Sequence, residues 1–479
     1  MSSVEPVRRL PNFVDATAEE LDRRGAAADF LARLLALRGY ERIETPLIEQ
    51  VELFVRKSGG ELSSRLYGFV EPGGYRVGLR PEFTAPVLRH AIDTVGDGGW
   101  PRRYQYSGPV FRYASPEDDD GGKTRQFTQV GAETIGTDSP MADGEIIAAA
   151  LEGLRGLGVP SPVAVVGHVG ILWELLKPFG LSERARLFLV NSVGQLRNGG
   201  RASDAVRSEA DRLGLTGAGE SEQPGSNVPR GTSLADVAAV IDATIGPTDA
   251  NAGVRSRAEI VERLAKKQMM TSDPESFSRA FELIAKLAGV HGAPGAALKK
   301  AGKIISQAGG DSGAIEPLRR VIDAALSEGV AVDSLAVDLG LARGIAYYTG
   351  MVFDLHSRET DGDSLGGGGR YDGLTRALGA ANDLPALGFA YNLEAVMHTG
   401  ASQSGGSVFA SRVVVVPSDE SAVGAAVKEA ARLRVEGAIA ILDFEARTPT
   451  EREAYARRAG ASETISVAQD GTSRREPVR

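Results

Sequence analysis

VDLGLARGIAYYTGMVFDL (residues 337–355), LGGGGRYDGLTRALG (365–379) and LPALGFAYNLEAV (384–396) are the stretch on which the reading of this chain turns. Arg343-Gly344 leads into an apolar run, 345–355, with the β-branched and aromatic content of a strand. Gly366-Gly367-Gly368-Gly369 then runs straight into Arg370-Tyr371-Asp372. Consecutive glycines let a backbone turn at positive φ and come close to a ligand. In isolation such a run is a flexible loop. Flanked by two apolar segments with tyrosines and arginines interleaved, it reads as the floor of a small-molecule pocket.

The rest of the chain sets bounds. Its 479 residues allow one large or two to three ordinary domains, and 42% apolar residues suffice for their cores. No uncharged apolar run reaches the roughly 18 residues of a membrane span. The N-terminal MSSVEPVRRLPNF has arginines but no apolar core after them, unlike a signal peptide. Cysteine is absent, which excludes disulfides and thiolate metal sites and fits a cytoplasmic setting. His90, His168, His291, His356 and His398 have no ligand spacing, so neither a metal nor another cofactor is expected. A net charge of −9 gives no long-range attraction to a polyanion, so nucleic acid is not an expected partner.

Upstream, Thr17-Ala18-Glu19-Glu20 spells a capping box. It opens an amphipathic helix to about Leu37, with Leu21, Phe30, Leu31, Leu34 and Leu35 on its apolar side and Gly39 as its stop. An alternating strand through Ile43 and Thr45 reaches Pro46. In VGLRPEFTA (77–85), Arg80 and Glu82 are two apart and would share one face of a strand. On a surface they would be an ion pair of little worth; buried, Glu82 would suit an ammonium. YSGPVFR (106–112) and RQFTQVGAE (125–133) read as two antiparallel strands. Gln129 and Glu133, four apart on the second, face the same way, and an amide and a carboxylate together can bind an ammonium and an imidazole N–H. Between the strands, Glu117-Asp118-Asp119-Asp120 repels phosphates and nucleic acid alike. Arg112 suits either a phosphate or a pocket carboxylate.

Residues 163–336 read as mostly helical, with helices at 275–287 and 316–326 and a polar insertion at 216–253. Asn191, Arg197, Lys299, Lys300 and Lys303 read as solvated surface. A Gly/Ser-rich linker at 401–410 separates residues 1–400 from a last unit, 411–479. There strand 412–417, helix 422–435, strand 438–444 and helix 450–459 make a small α/β domain with a parallel sheet.

ARGIAYYTGMVFD (342–354) resembles the histidine-recognition segment of histidyl-tRNA synthetases. GGGGRYDGL (366–374) with PALGFAYNLE (385–394) resembles that family's motif 3 region, YERIETPLIEQVELFVRKSG (40–59) its dimer-forming motif 1, and the strands around Arg112 its motif 2. The last unit is similar to the family's anticodon-binding domain, although its charges balance and Glu445 stands beside the expected contact loop. The resemblance implies an α+β, class II aminoacyl-tRNA synthetase-like fold, an antiparallel sheet with helices, in a homodimer. It also implies a histidine pocket made by Glu82, Thr84, Gln129, Glu133, Arg343, Tyr347 and Tyr348. Glu82 and Gln129 would hold the ammonium, Glu133 and Tyr348 the imidazole, and Arg343 the carboxylate. Tyr347, on an apolar strand, also suits core packing.

The same family contains a non-aminoacylating branch, the regulatory subunit of ATP phosphoribosyltransferase, which opens histidine biosynthesis. Where family synthetases carry Glu-Arg-Pro soon after the motif 2 arginine, this chain has Ala114-Ser115-Pro116. Ala346 stands where they have Asp, and Asn392-Leu393-Glu394-Ala395 replaces Gly-x-Glu-Arg, removing the arginine that would meet the ATP tail. Adenylate formation needs cationic clamps where charge develops, and losing one such donor costs roughly a hundredfold or more in rate. Binding free histidine needs none. The expectation is a histidine-binding subunit with no catalytic residue of its own, docked as a homodimer in a hetero-oligomer with the short catalytic subunit and exerting feedback by coupling two sites. Arg112 would then be a remnant of a phosphate site. A histidine–tRNA ligase is the alternative, supported by the last unit, Arg112 and Arg343, and a paralogue with another amino-acid-binding role is the third reading.

Overall fold

The computed structural model describes residues 6–56, 63–95, 100–114, 124–216, 274–341, 347–360, 364–400, 412–436, 438–443 and 448–478. They fall into two units, Met1–Ala401 and Ser402–Arg479. The acidic run 117–120, the insertion beyond Thr216, Arg343, Ala346, the linker and Glu445 lie outside the described residues.

The capping box forms as spelled: the Thr17 hydroxyl accepts from the Glu20 amide at 3.3 Å, and the Glu20 carboxylate accepts from the Thr17 amide at 2.7 Å. The helix Ala18–Leu37 buries Ala27, Leu31, Leu34 and Leu35. Leu21, expected on the apolar side, is instead exposed, because only the second half of the helix is covered. Gly39, at φ 78°, supplies the left-handed stop.

Nine strands make the main sheet, in the order β1 (Glu41–Arg42), β5 (Arg102–Phe111), β6 (Gln126–Ile135), β12 (Ala386–Asn392), β11 (Gly366–Arg370), β10 (Met351–Ser357), β7 (Pro162–His168), β9 (Leu335–Asp338) and β8 (His291–Gly292). From β5 to β7 each neighbour is antiparallel, while β1 and β9 join in parallel at β5 and β7. The strand expected over 345–355 begins at Met351. Residues 347–350 turn instead, because the Thr349 amide donates to the Arg370 carbonyl at 2.9 Å. The strand expected through Ile43 and Thr45 is the two-residue β1, extended by the Ile43 amide on the Gln105 carbonyl. A second, three-stranded sheet has the order β2 (Ile48–Gln50), β4 (Arg76–Leu79), β3 (Gly68–Val70).

Alternation gives the main sheet two unlike faces. On one, Val130, Ala132, Phe353, Leu355, Phe389 and Tyr391 join the largest apolar cluster, with side chains of the helices Ala18–Leu37, Pro140–Gly156 and Glu316–Ser327. The other is nearly bare: the register sets Glu133 against Gly388, Gly388 against Gly369, and Gly369 against Val352. The glycine run is the interior of β11, with Gly366 and Gly367 at φ 147° and 154°. No Cβ fits there, since one on Gly366 would meet the Ala390 carbonyl and one on Gly368 the Gly388 carbonyl.

Among its described residues, region 163–336 is mostly helical as expected, except that β7, β8 and β9 belong to the main sheet. The helices Val169–Leu176, Glu183–Asn191, Gly200–Arg212 and Pro274–Ala288 enclose their own core around Leu172, Leu189, Phe277 and Phe281. Lys299, Lys300 and Lys303 are exposed. Arg197 is not simply solvated surface: its guanidinium reaches the buried Asp338 carboxylate at 3.0 Å.

In the last unit, β14 (Ile439–Leu442), β13 (Arg412–Pro417), β15 (Glu463–Val467) and β16 (Ser473–Pro477) lie in that order, the first three parallel and β16 antiparallel. Val413 and Val415 pack toward the helix Val423–Val435, and Val414 and Val416 toward the helix Pro449–Arg458. Burial on both faces explains the unbroken valine run. Among the described residues no helix is long and apolar enough to cross a membrane.

Candidate functional site

Glu133 is the centre of the bare face. Its side chain lies across Gly388, where an added Cβ would land on the carboxylate. It is 1% exposed and takes three hydroxyl donors: Thr84 at 2.9 Å, Tyr106 at 3.0 Å, and Tyr371 in a short bond. Burial nevertheless dominates and pushes its carboxyl up to about 8. A buried group poised near neutrality, held by several donors, is a mark of functional sites.

Glu82 stands beside it at the start of the helix Thr84–Val95. Its carboxylate accepts the Thr84 amide at 2.6 Å and the Ala85 amide at 3.2 Å, so it tethers the first turn. Burial raises its carboxyl, opposed by those bonds and by the Arg112 charge. Glu82 and Arg80 do not share a strand face, because β4 ends at Leu79 and the chain turns into the helix. Arg80 is buried elsewhere, donating to the Thr45 carbonyl at 2.6 Å and the Pro109 carbonyl at 2.9 Å. It lies 3.9 Å over the Phe83 ring, which stacks on Tyr106 at 4.3 Å. The surface-pair alternative is excluded: Arg80 is a buried cation that steadies one of Glu133's donors.

Gln129, two pleats along β6 from Glu133, is buried, and its Oε1 has no partner. A buried acceptor without a donor invites one from a ligand. Tyr347 and Tyr348 sit on the turn before β10 with ring centres 5.0 Å apart, and Tyr347 meets Tyr371 edge-on at 5.6 Å. Tyr348 lies over Gly369, where a Cβ would come within 2.9 Å of its ring. The structure thus brings together Glu82, Thr84, Glu133 and the two tyrosines, with Gln129 on the same face as Glu133. Tyr106 and Tyr371 complete the nest and were not singled out from sequence. Tyr371 directly follows the glycine run, and Tyr106 falls on the Glu133 side of β5 by alternation, so both signals were present. Two carboxyls, a free amide oxygen and aromatic walls suit a small molecule bearing N–H donors and a positive charge.

On the opposite face of the sheet, beside Thr128, the chemistry differs. Glu394 accepts the Thr128 amide and hydroxyl, both at 2.8 Å, and Arg24 at 3.0 Å, so its oxygens are engaged within the protein. Ala395 packs against the main core. Ala114 offers its carbonyl to Arg125 at 2.6 Å. Arg112 donates to the Pro81 carbonyl at 3.0 Å, with its guanidinium 5.1 Å from the Phe127 ring centre.

Comparison with known proteins follows this geometry. The Histidyl-tRNA synthetase family model matches residues 12–198 and 252–396. A histidine–tRNA ligase of Methanocaldococcus jannaschii is 26% identical over 383 residues, covering 80% of this chain and 73% of that protein. One from Archaeoglobus fulgidus is 27% identical over 459 residues, covering 95% and 90%. The crystal structure of an ATP phosphoribosyltransferase regulatory subunit/histidyl-tRNA synthetase from Bacillus halodurans has a TM-score of 0.67 at 21% identity, covering 98% of this chain and 100% of that one, a likeness of fold. The bare sheet face, its carboxyl nest and the family match agree, and this chain belongs to the histidyl-tRNA synthetase family, with the class II fold.

Proposed function

We propose that this chain binds free histidine and serves as the regulatory subunit of a short-form ATP phosphoribosyltransferase, giving feedback control of the first step of histidine biosynthesis. The observation that carries the reading is the contrast at Glu394-Ala395. The family's synthetases place an arginine after this glutamate, and here a methyl group packs on the core. Ala114-Ser115 and Ala346 remove further expected groups, while Glu82, Gln129, Glu133, Arg343, Tyr347 and Tyr348 are kept. A pocket that keeps the amino-acid groups and lacks the cationic clamp of adenylation recognises histidine without activating it. In this role Gln129 Oε1 and Glu82 take the ammonium, Glu133 and Tyr348 the imidazole, and Arg343 the carboxylate. The partner is the short catalytic subunit, which joins ATP to phosphoribosyl pyrophosphate.

The test mixes this chain with a short-form catalytic subunit and follows ATP phosphoribosyltransferase activity against histidine. Histidine inhibition that requires this chain supports the reading; inhibition that is the same without it, or no association at all, overturns it. A second reading, histidine–tRNA ligase, is favoured by the retained Arg112 and by the names of the curated relatives, and charging of a histidine-accepting tRNA by the chain alone would establish it.

A further inference from the structure

Tyr347, Tyr348 and Tyr371 are held from behind by one buried ion pair. Arg370 directly precedes Tyr371, so on β11 its side chain turns to the face opposite the pocket. There its Nε and Nη2 meet the two carboxylate oxygens of Asp143 at 3.1 and 2.8 Å, while Nη1 donates to the Thr137 carbonyl at 2.8 Å. Arg370 is 7% exposed and Asp143 3%. Asp143 stands in the first turn of the helix Pro140–Gly156.

The same arginine also seats the tyrosine turn. Its carbonyl accepts the Thr349 amide at 2.9 Å, and its stem fills the space where a Cβ on Gly350 would come within 3.0 Å. Two residues on, the Asp372 amide donates to the Thr349 hydroxyl at 2.9 Å, and the Asp372 carboxylate accepts the Ala386 amide at 3.0 Å. Helix, strand and turn are therefore tied at Arg370, the residue before the tyrosine whose hydroxyl reaches Glu133. Stability alone is a poor explanation of such a pair, since replacing a buried ion pair with well-packed apolar residues is often neutral or stabilising.

We infer that Arg370 and Asp143 are positioning residues of the pocket: the pair fixes where Tyr371 meets Glu133 and where the Tyr347–Tyr348 turn sits. The inference rests on the histidine reading only for the ligand's identity.

The test replaces the pair by apolar side chains, Arg370→Met with Asp143→Leu, alongside the conservative Arg370→Lys. Three quantities are read: the thermal midpoint, histidine affinity by calorimetry, and the Tyr371 ring resonance in 13C-tyrosine-labelled, ligand-free protein, assigned by Tyr371→Phe. The expected result is a double variant that melts close to the unaltered chain, with a displaced Tyr371 resonance and histidine affinity lower by about tenfold or more. Arg370→Lys should fall between. Combined with Tyr371→Phe, the pair's effect on affinity should shrink, because both changes act through one contact. A double variant that binds normally with Tyr371 unmoved overturns the inference. If it does not fold, Arg370→Lys is judged by the same resonance and affinity. If the unaltered chain binds no histidine, the functional reading fails and the Tyr371 resonance alone decides the positioning role.

Discussion

Two regions of one sheet, on its opposite faces, differ in what their polar groups are doing. In the Glu133 region, a carboxyl, three hydroxyls and a second buried carboxyl crowd together, and Gln129 keeps an acceptor without a donor. In the Glu394 region, the carboxylate takes Thr128 and Arg24 from within the protein, and the next side chain is a methyl on the core. The first region retains free binding capacity and strained electrostatics. The second is internally engaged. Buried polar groups are costly unless partnered, and those kept around Glu133 are the ones the histidine reading assigns to a ligand.

The largest expected effect comes from removing the centre of the first region. Glu133→Ala should abolish histidine binding in calorimetry while circular dichroism shows a folded chain; unchanged affinity would rule out the pocket assignment. Next, Gly388→Ala places a methyl on the Glu133 carboxylate inside a paired strand. It should destabilise the chain by roughly 1–3 kcal/mol, the usual scale for overpacking, and weaken binding with it; a normal melt would contradict the close approach that the bare face requires.

A subtler effect follows from the raised Glu133 carboxyl. Its value is about 8 in the folded chain against an ordinary 4.5, so between these pH values the folded state holds a proton that the unfolded state gives up. Its contribution to stability is complete below the lower value and is lost as pH rises through the upper one. Glu133→Gln should therefore raise the thermal midpoint of the ligand-free chain increasingly as pH climbs through that window. A gain that does not depend on pH would show that the carboxyl is not raised. The smallest change is expected in the other region: Ala395→Arg should leave histidine affinity as it is and produce no pyrophosphate exchange, since Ala114 and Ala346 remain.

Helix starts, the valine strand of the last unit and the pairing of Gln129 with Glu133 on one face were legible because capping and alternation are local rules. Sequence alone did not say where in the glycine run, read as a pocket floor, glycine supplies a positive φ, as at Gly366 and Gly367, and where it supplies the absence of a Cβ, as at Gly368. Here that depends on the Ala390 and Gly388 carbonyls across the sheet. Burial of Glu82 agrees with the pocket reading, but its parting from Arg80 was not legible, because the end of β4 is set by the helix that Glu82 itself tethers. Tyr371 and Tyr106 were passed over for a similar reason. Their importance comes from Glu133, which is distant in sequence and reaches them through sheet register. Arg197 looked solvated until Asp338, 141 positions on, met it (338 − 197 = 141).

The most direct measurement is ATP–pyrophosphate exchange with histidine on the purified chain, run beside histidine calorimetry. The contrast between the two regions predicts saturable histidine binding with no exchange above background. Histidine-dependent exchange would contradict it, since the Glu394 region would then be a working adenylation site and the chain a ligase.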